Sequence, residues 1–317
     1  MDLVPSAKTD SHVAVLVVFH ENVQQTLASI RSALLLEYPD FEILAIDDAS
    51  TDGCAAAVQA EYPKVRILHT ESDLWCNGGF NYGIRDCLSR GLEYVLLLNN
   101  DNVVAPDALR HLMDTERRQH PCVVGSVVVS SSTTDTVIYA GKIMDWSSGQ
   151  PTSLYAGAQL SSLPAGPLRV DSMGFQGVLI PRRVFEVVGL IDDLTFKHYF
   201  GDTDFYFRAA KRGFPIMIDC GSVVSEDLST KGRNGPELTW RGFVATLFTL
   251  RSVNHVPSRY RFYRRHDPNQ WWATLCRYYC RLVGAQSATM LKHRLRQVQG
   301  ENGRIERFLR TIVGNRS

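Results

Sequence analysis

Runs dominated by apolar residues recur through the first 130 residues, and each is followed by polar residues. The runs occupy residues 13–19, 41–47, 64–68, 94–98 and 122–129. Continuous runs of this length, rich in Val, Ile and Leu, are typical of strands buried on both faces of a sheet. The pattern therefore predicts five buried strands in this part of the chain.

The segments between these runs have helical spacing instead. Residues 22–36 and 79–89 place apolar residues three and four positions apart, and Pro106 suits the first turn of a further helix. Strands that alternate with helices across short connections form right-handed βαβ units. We therefore predict an α/β fold with a mixed, mostly parallel sheet flanked by helices.

The pattern changes after residue 130. Residues 130–172 are rich in Ser, Thr and Gly, which indicates a partly irregular region, and regular patterns return at 178–189 and 202–220. Residues 238–317 have helical spacing with aromatic and arginine-rich faces. We expect a helical segment at the C-terminal end.

The charge is divided in a similar way. Of 34 basic and 33 acidic residues, residues 251–317 hold 14 basic and 3 acidic ones, which leaves 20 and 30 in residues 1–250. Within the basic part, residues 259–265 and 270–281 interleave Arg with Trp and Tyr. This suits either contact with an anionic lipid surface or a helical subdomain that packs its aromatic side chains on the body. Nucleic-acid binding is the least favoured interpretation.

Composition also bears on location. The seven cysteines are scattered and never spaced C-x-x-C, which favours reduced thiols. No apolar run approaches the roughly 18–20 residues that a membrane span needs, and the N-terminal residues lack the features of a signal peptide. We expect a cytoplasmic protein, with attachment to the inner face of the cell membrane as an open alternative.

Polar groups follow three of the predicted strands. His20 and Glu21 follow the first, Asp47 and Asp48 the second, and residues 99–102 the fourth. Ligands of open parallel sheets bind beyond the carboxyl ends of the strands. Asp and Asn are also common in turns and helix caps, so one such group carries little weight. Three groups at one edge predict a binding site.

The residue types suggest which ligand this edge takes. A carboxylate at Asp47 can accept the N3–H group of uracil or thymine. Asp101, among three Asn residues, can hold Mg²⁺, which takes few protein oxygens and completes its shell with phosphate oxygens and water. The glycine-rich motifs of dinucleotide-binding folds and P-loop NTPases are absent from the sequence, as are H-E-x-x-H and G-x-S-x-G.

Four short segments carry a family resemblance: VVFHEN (17–22), IDDASTDG (46–53), LLLNNDN (96–102) and GDTDFYFRAAKRGF (201–214). In order and spacing they resemble the motifs of glycosyltransferase family 2, over roughly residues 12–228. Residues 75–84, WCNGGFNYGI, resemble a segment of rhamnosyltransferase-like bacterial members. The resemblance implies an inverting, metal-dependent enzyme of the GT-A fold.

The resemblance also implies roles at the donor side. Asp47 corresponds to the residue that contacts the pyrimidine base, and Asp101 to the metal-binding Asp of the DXD motif, with Asn99 in place of the first Asp. The other implied donor-binding residues are Phe19, His20, Glu21, Gly78, Asn81, Asn99 and Asn100. The cation would be Mg²⁺ or Mn²⁺. Many members place a His after the last strand, where this chain has Glu226, so either Glu226 is a ligand or that ligand is absent.

On the acceptor side, the family motif E-D-x-D is represented by residues 201–204, with Gly201 in place of the Glu. Asp202 corresponds to the base that takes the proton of the acceptor hydroxyl, and Asp204 is the alternate, which could instead cap the helix or pair with Arg208. The implied acceptor or sugar contacts are Trp75, Gln176 and Gly177. Core packing for Trp75 and a glycine turn for residues 174–177 remain alternatives.

The resemblance implies a glycosyltransferase domain at 1–235, with a nucleotide-sugar half at about 12–130 and an acceptor half at about 131–235, followed by a basic helical extension at 236–317. The expected reaction moves a sugar from a UDP- or dTDP-sugar, with dTDP-rhamnose first, to a glycan or lipid-linked glycan of the cell surface. The alternatives are an inactive nucleotide-sugar-binding module and a sugar nucleotidyltransferase. The oligomeric state stays open.

Overall fold

The computed structural model describes residues 12–133, 135–227 and 239–313, with side chains described as far as residue 292. The chain forms two compact units. One comprises residues 1–145 and 151–231, and the other comprises residues 146–150 and 232–317. The domain boundary predicted at 235 and 236 lies outside the described residues.

The first unit is an α/β structure. Its strands are β1 (Val13–Phe19), β2 (Phe41–Asp47), β3 (Arg66–His69), β4 (Tyr94–Asn99), β5 (Asn102–Val104), β6 (Val123–Ser130), β7 (Val137–Tyr139), β8 (Lys142–Asp145), β9 (Gln150–Ser153), β10 (Pro167–Arg169), β11 (Val178–Pro181) and β12 (Ile216–Glu226). Its helices are α1 (Val23–Leu34), α2 (Cys54–Glu61), α3 (Trp75–Ser89), α4 (Ala108–Gln119), α5 (Arg182–Val188) and α6 (Gly201–Lys211), with a 3₁₀ turn at Leu160–Ser162.

The main sheet has the strand order β10-β12-β6-β11-β4-β1-β2-β3, with β5 paired to β12 and β7 to β6. The pairs β1–β2, β1–β4, β2–β3 and β6–β12 are parallel, whereas β11 runs antiparallel between β4 and β6. The predicted mixed, mostly parallel sheet flanked by helices is thus confirmed.

The predicted elements differ from the structure mainly at two places. Helix α2 was not predicted, because the polar cluster at 48–53 masks its short apolar face. Helix α3 begins at Trp75, four residues before the predicted start at residue 79.

Both faces of the sheet are covered, which explains the continuous apolar runs. All seven residues of β1 are buried, with Leu16 packing in one apolar cluster and Val15 and Val17 in the other. Full burial of a Val or Leu side chain stabilises the fold by about 1.5–3 kcal/mol. Burial therefore holds the strands in place, and this fixes the positions of the residues at their ends.

The register brings the polar strand ends to one edge. Phe19 pairs with Asp47 and Asp47 pairs with His69, while Val18 pairs with Asn99. Because β1 to β4 are parallel neighbours, the residues that follow them emerge at the same side of the sheet.

The second unit contains α7 (Trp240–Phe248), α8 (Val256–His266) and α9 (Trp271–Val313), together with the turn at residues 146–150. Arg259 is buried, its guanidinium lies 3.5 Å from the centre of the Tyr278 ring, and it donates to the hydroxyl of Tyr263 at 2.7 Å. Phe262 stacks on Trp146. These members of the 259–265 segment therefore form the core of this unit.

The arginines of the 259–265 segment differ in their exposure to solvent. Arg261, Arg264 and Arg265 are exposed, in contrast to Arg259. Along the described residues, no helix combines the length and the apolar character needed to span a membrane.

Candidate active site

Asp47 is a nearly buried carboxylate at the edge of the sheet where β1, β2 and β3 end. It ends β2 and is only 6% exposed. Its Oδ1 accepts the backbone N–H of Ser50 at 3.0 Å, and its Oδ2 lies 2.9 Å from Nδ1 of His69. The carboxylate is thus held at the edge in one orientation, with lone pairs to spare for a ligand.

His69 was missed by sequence reasoning. It is the last residue of β3, and its side chain is 62% exposed next to Asp47. Its position could have indicated it, because His69 directly follows the run at 64–68, which ends at the same edge as β2.

Hydrogen bonds join the loop after β1 to the loop after β2. Oε1 of Glu21 accepts the N–H and the hydroxyl of Thr51, both at 2.9 Å, and the Glu21 N–H donates to Oγ of Ser50 at 3.0 Å. Glu21 and Asn22 have φ of 62° and 67°, a region that non-glycine residues seldom occupy. Strained backbone of this kind persists where surrounding contacts over-determine it and is common at functional sites.

His20 lies on the same loop and is exposed. Its Nδ1 is 2.7 Å from the backbone oxygen of Asp48. His20 and Glu21 therefore contact the loop that follows β2, and their role in donor binding stays a prediction.

Phe19 has a different place from the one predicted. Its side chain is 1% exposed and packs in the apolar cluster beneath α1, while its carbonyl accepts the N–H of Asp48 at 2.9 Å. Side chains alternate between faces along a strand, and the last residue of β1 points into the core. A donor contact through this side chain is corrected by its burial.

Asp48 is buried directly behind Asp47. Its Oδ1 accepts the N–H of Leu74 at 2.8 Å and the hydroxyl of Thr70 at 3.0 Å. Burial raises the pKa of its carboxyl, and these hydrogen bonds oppose that shift. Asp48 thereby fixes the start of α3.

The turn after β4 is fixed by Asn102, which is fully buried. Its Oδ1 accepts the N–H of Asn99 at 3.2 Å, and its Nδ2 donates to Oδ1 of Asp101 at 3.1 Å. Asn100 donates to the Glu21 carbonyl at 3.3 Å and to Thr26 at 3.1 Å. Two of the three Asn side chains therefore position the turn, and Asn99 accepts from the Cys76 thiol at 3.4 Å.

Asp101 lines a cavity of about 270 Å³ whose wall also includes Ser225 and Asp227. Strand β12 pairs antiparallel with β5, which places Glu226 opposite Asn102. Asp101 therefore lies in the turn before β5 and Glu226 lies on the paired strand β12, although Glu226 does not line this cavity.

Glu226 is buried and held by a chain of side chains. Its Oε1 accepts from Nε2 of Gln176 at 2.5 Å, and the Tyr139 hydroxyl donates to Oε1 of Gln176. Both ends of the Gln176 amide are thus engaged, and the side chain is almost fully buried. The predicted sugar contact of Gln176 is corrected: its amide orients Glu226 instead.

Gly177 occupies a turn that requires glycine. Its φ is 69°, and a Cβ there would lie 2.6 Å from both Ser126 Oγ and Val224 Cγ2. The glycine-turn alternative accounts for this residue.

Asp202 lies in the first turn of α6, partly exposed. Its Oδ1 accepts the N–H of Thr203 at 2.6 Å. Asp204 is 0% exposed, and its Oδ2 accepts from Nε of Arg208 at 2.7 Å. The alternate base at Asp204 is therefore corrected, because its carboxylate is buried and paired with Arg208.

Two further predicted donor residues lie in α3. Asn81 is buried and exchanges two hydrogen bonds with the backbone of Ile191, at 2.8 and 3.1 Å. Gly78 packs so closely that a Cβ would lie 2.7 Å from that of Leu74. The predicted donor contact of Asn81 is thus corrected, since its amide is spent on the backbone of another loop.

Trp75 has φ of 64° and begins α3. The edge of its ring meets the His198 ring at 5.4 Å between centroids, and His198 meets Tyr199 at 4.6 Å. All three are partly exposed. Sequence reasoning missed His198 and Tyr199, although they immediately precede the 201–204 motif.

Carboxylates from separate elements converge on Cys76. Burial raises the pKa of its thiol to about 12, and the charges of Asp202, Asp101 and Asp48 add to the shift. Burial also raises the pKa of Tyr139, with contributions from Glu226, Asp202 and Asp101. Nearby negative charge raises the pKa of an acid, and the same charge favours a cation near these carboxylates.

The described side chains fit a cation that is bound mainly by its substrate. Among them, no group of three His, Cys, Asp or Glu residues lies close enough to form a metal cage. Mg²⁺ requires only one or two protein carboxylates when a diphosphate supplies further oxygens. Asp101, supported by Asn102, provides one.

Residues 14–166 match the family model of Glycosyl transferase family 2. The chain is 26% identical over 246 residues, or 72% of its length, to undecaprenyl-phosphate mannosyltransferase of Micrococcus luteus, and it covers 94% of that protein. The protein is a glycosyltransferase, and its residues 14–166 resemble family 2. It is also 25% identical over 80% of its length to an uncharacterised glycosyltransferase of Rickettsia felis, of which it spans 41%.

The glycosyltransferase fold is supported by a solved structure, that of GalNAc-T7 with UDP, GalNAc and Mn²⁺. The two chains superpose with a TM-score of 0.56 at 16% identity, over 76% of this chain and 48% of the other. At that identity the likeness concerns the fold alone. The rhamnosyltransferase-like subtype expected from residues 75–84 stays a prediction.

Proposed function

We propose that this glycosyltransferase is an inverting, metal-dependent enzyme that moves a sugar from a UDP- or dTDP-sugar to a glycan or lipid-linked glycan of the cell surface. One observation carries the proposal: the first turn of α3 contacts both the turn that carries Asp101, through the hydrogen bond from Cys76 to Asn99 at 3.4 Å, and the first residue of α6, Gly201, through Asn77. The proposed cation-binding carboxylate, Asp101, and the proposed base, Asp202, would thus approach the same turn of α3 from two different elements. This is the arrangement that displacement of a diphosphate by a hydroxyl needs.

The donor base would be read by Asp47, whose carboxylate is fixed by Ser50 and His69. A carboxylate accepts the N3–H of uracil and thymine, whereas N3 of cytosine carries no hydrogen. The UDP in the GalNAc-T7 structure agrees with a uridine donor. Among dTDP-sugars, dTDP-rhamnose stays the first candidate, on the resemblance of residues 75–84.

Asp202 would remove the proton from the acceptor hydroxyl as its oxygen attacks the anomeric carbon. Inversion requires the base and the leaving diphosphate to lie on opposite faces of the sugar. Asp101 would hold Mg²⁺ or Mn²⁺, which when bound neutralises the charge that grows on the diphosphate. Asn102 and the turn it fixes keep Asp101 in place. Glu226 would add negative charge beside it, oriented by Gln176.

A lipid-linked acceptor is favoured by the name of the micrococcal relative, which acts on undecaprenyl phosphate. The second unit offers a surface suited to a membrane. In α7, Trp240, Val244 and Phe248 recur every four residues and are 48%, 48% and 68% exposed. Arg241 and Arg251 are exposed beside this stripe. Aromatic and basic side chains together favour the interface of anionic lipids, so we assign membrane contact to α7.

A thermal-shift panel of nucleotide sugars, with and without Mn²⁺, tests the donor. Binding to the folded state raises the Tm by mass action. A shift with one UDP- or dTDP-sugar only in the presence of Mn²⁺ is expected. The anomeric configuration of the product, measured by NMR, must then be opposite to that of the donor. Binding without any transfer or donor hydrolysis would instead support the inactive-module alternative. A nucleotidyltransferase would instead release pyrophosphate when it is given a nucleoside triphosphate and a sugar 1-phosphate.

A further inference from the structure

The segment between α5 and α6 delivers Asp202, and two buried Asn side chains of α3 hold its backbone. Asn81 donates to the Ile191 carbonyl at 2.8 Å and accepts from the Ile191 N–H at 3.1 Å. One helical turn earlier, Asn77 donates to the Phe196 carbonyl at 2.6 Å. Residues four apart share one face of a helix, so α3 presents both amides to this segment.

The start of the segment is held from α6. Arg208 donates to the carbonyls of Val188 and Leu190, both at 2.9 Å, while its Nε is paired with Asp204. The backbone from residue 188 to residue 196 is therefore anchored at four carbonyls and one N–H by three buried or half-buried side chains.

The far end of the segment meets Asn77 again. A Cβ at Gly201 would lie 2.7 Å from Cγ of Asn77 and nearer still to its Nδ2. Such distances do not occur between real atoms, so the Asn77 amide fills the space that a side chain at residue 201 would need. Phe200, just before it, has φ of 75°. The first turn of α6 is thus seated directly on α3, one residue before Asp202.

We infer that Asn77 and Gly201 form a matched pair that sets the position of Asp202, with Asn81 as the second anchor. The inference rests on the proposed role of Asp202 as base. Asn77 acts as a positioning residue: it holds the carbonyl of Phe196 and leaves room for a glycine alone at residue 201. Cys76, its neighbour in α3, donates to the Asn99 side chain at 3.4 Å, on the turn that carries Asp101. The same turn of α3 therefore spaces the cation-binding carboxylate from the base.

A double-mutant cycle on Asn77→Ala and Gly201→Ala tests the pair. Displacing a catalytic group by about 1 Å can cost about 100-fold in rate. We expect Gly201→Ala to lower kcat by about that factor while the donor KM stays within about twofold, and Asn77→Ala to lower kcat less. In the double variant the Cβ has room, so kcat should recover to about the level of Asn77→Ala. Gly284→Ala, where a Cβ meets nothing within 4 Å, is the matched control.

Asp202→Asn and the Tm of each variant are measured in parallel. If Asp202→Asn abolishes transfer but Gly201→Ala and Asn77→Ala keep the full kcat, the positioning role is overturned and the base stands. If Gly201→Ala lowers kcat by the same factor in the original protein and in the Asn77→Ala background, the pairing is overturned. If Gly201→Ala does not fold, Asn77→Ala and Asn81→Ala decide, and unchanged kcat in both refutes the inference. Retained transfer in Asp202→Asn overturns the proposed function itself.

Discussion

Nε of Arg208 lies 2.7 Å from Oδ2 of Asp204, and this pair separates the two carboxylates of the 201–204 motif into different roles. Asp204 is fully buried, and its partner Arg208 anchors the segment between α5 and α6. Asp202 is partly exposed. Two aspartates that look equivalent in the sequence are therefore a structural residue and a candidate base.

Asp202→Asn is expected to lower kcat by about 10²–10⁴-fold, the usual contribution of a general base. Donor affinity should stay near that of the original protein, because the base acts only in the chemical step. Single-turnover kinetics and a separate donor-binding titration measure the two effects. A parallel loss of donor affinity would contradict the role.

Asp204→Asn is expected to destabilise the fold, since it leaves the Arg208 charge without its partner. Breaking a buried ion pair costs about 3–5 kcal/mol, and the partial exposure of Arg208 places this case near the lower value. Thermal or urea unfolding measures the change, with Asp202→Asn as the matched control. Equal stability of the two variants would show that the pair is not a structural anchor.

Asp101→Ala is expected to remove most of the Mn²⁺ dependence of donor binding. The substitution takes away a carboxylate ligand but leaves Asp47 and the base contact intact. Calorimetric titration of the donor with and without Mn²⁺ measures this, and Asn100→Ala, on the same turn, serves as the comparison. If the metal-dependent gain in affinity persists in Asp101→Ala, the cation binds elsewhere.

The Cys76 thiol is expected to resist alkylation at pH 8. Burial and the nearby carboxylates raise its pKa to about 12 from a reference of 9.0, so its thiolate fraction falls about a thousandfold. Cys276 and Cys280 are exposed and should react with iodoacetamide first. Peptide mapping by mass spectrometry gives the order, and early labelling of Cys76 in the folded protein would count against the convergence of carboxylates around it.

The same shift predicts how stability changes with pH. Because the folded state holds the Cys76 proton more tightly than the unfolded state, the stabilisation is fully present below about pH 9 and is lost as the pH rises toward 12. Cys76→Ser should flatten this part of the curve of unfolding free energy against pH. An identical curve for both proteins would refute the prediction.

Sequence patterns were sufficient for the sheet and its ligand edge. The apolar runs at 13–19 and 41–47 coincide with β1 and β2, because burial on both faces leaves a signature within each strand. Polar residues directly after those runs, such as Asp47, had to reach the edge because parallel neighbours end together. These inferences need only local periodicity and one topological rule.

The roles of Asn81, Gln176 and Asp204 were decided by tertiary structure. Asn81 bonds to Ile191, 110 residues away, and Gln176 to Glu226, 50 residues away. An amide or carboxylate looks the same in a sequence whether it faces a ligand or another part of the backbone. Its partner depends on how distant segments pack, and a buried polar group must find one.

The sequence by itself thus determined the class of fold and the edge of the sheet where the polar strand ends meet, and it predicts Asp101 and Asp202 as the residues to test. Only the tertiary structure decided which polar side chains stay available for chemistry and which are consumed in holding the site together. The physical reason is that periodicity records the burial of each element, whereas hydrogen-bond partners across long chain separations exist only once the elements have packed.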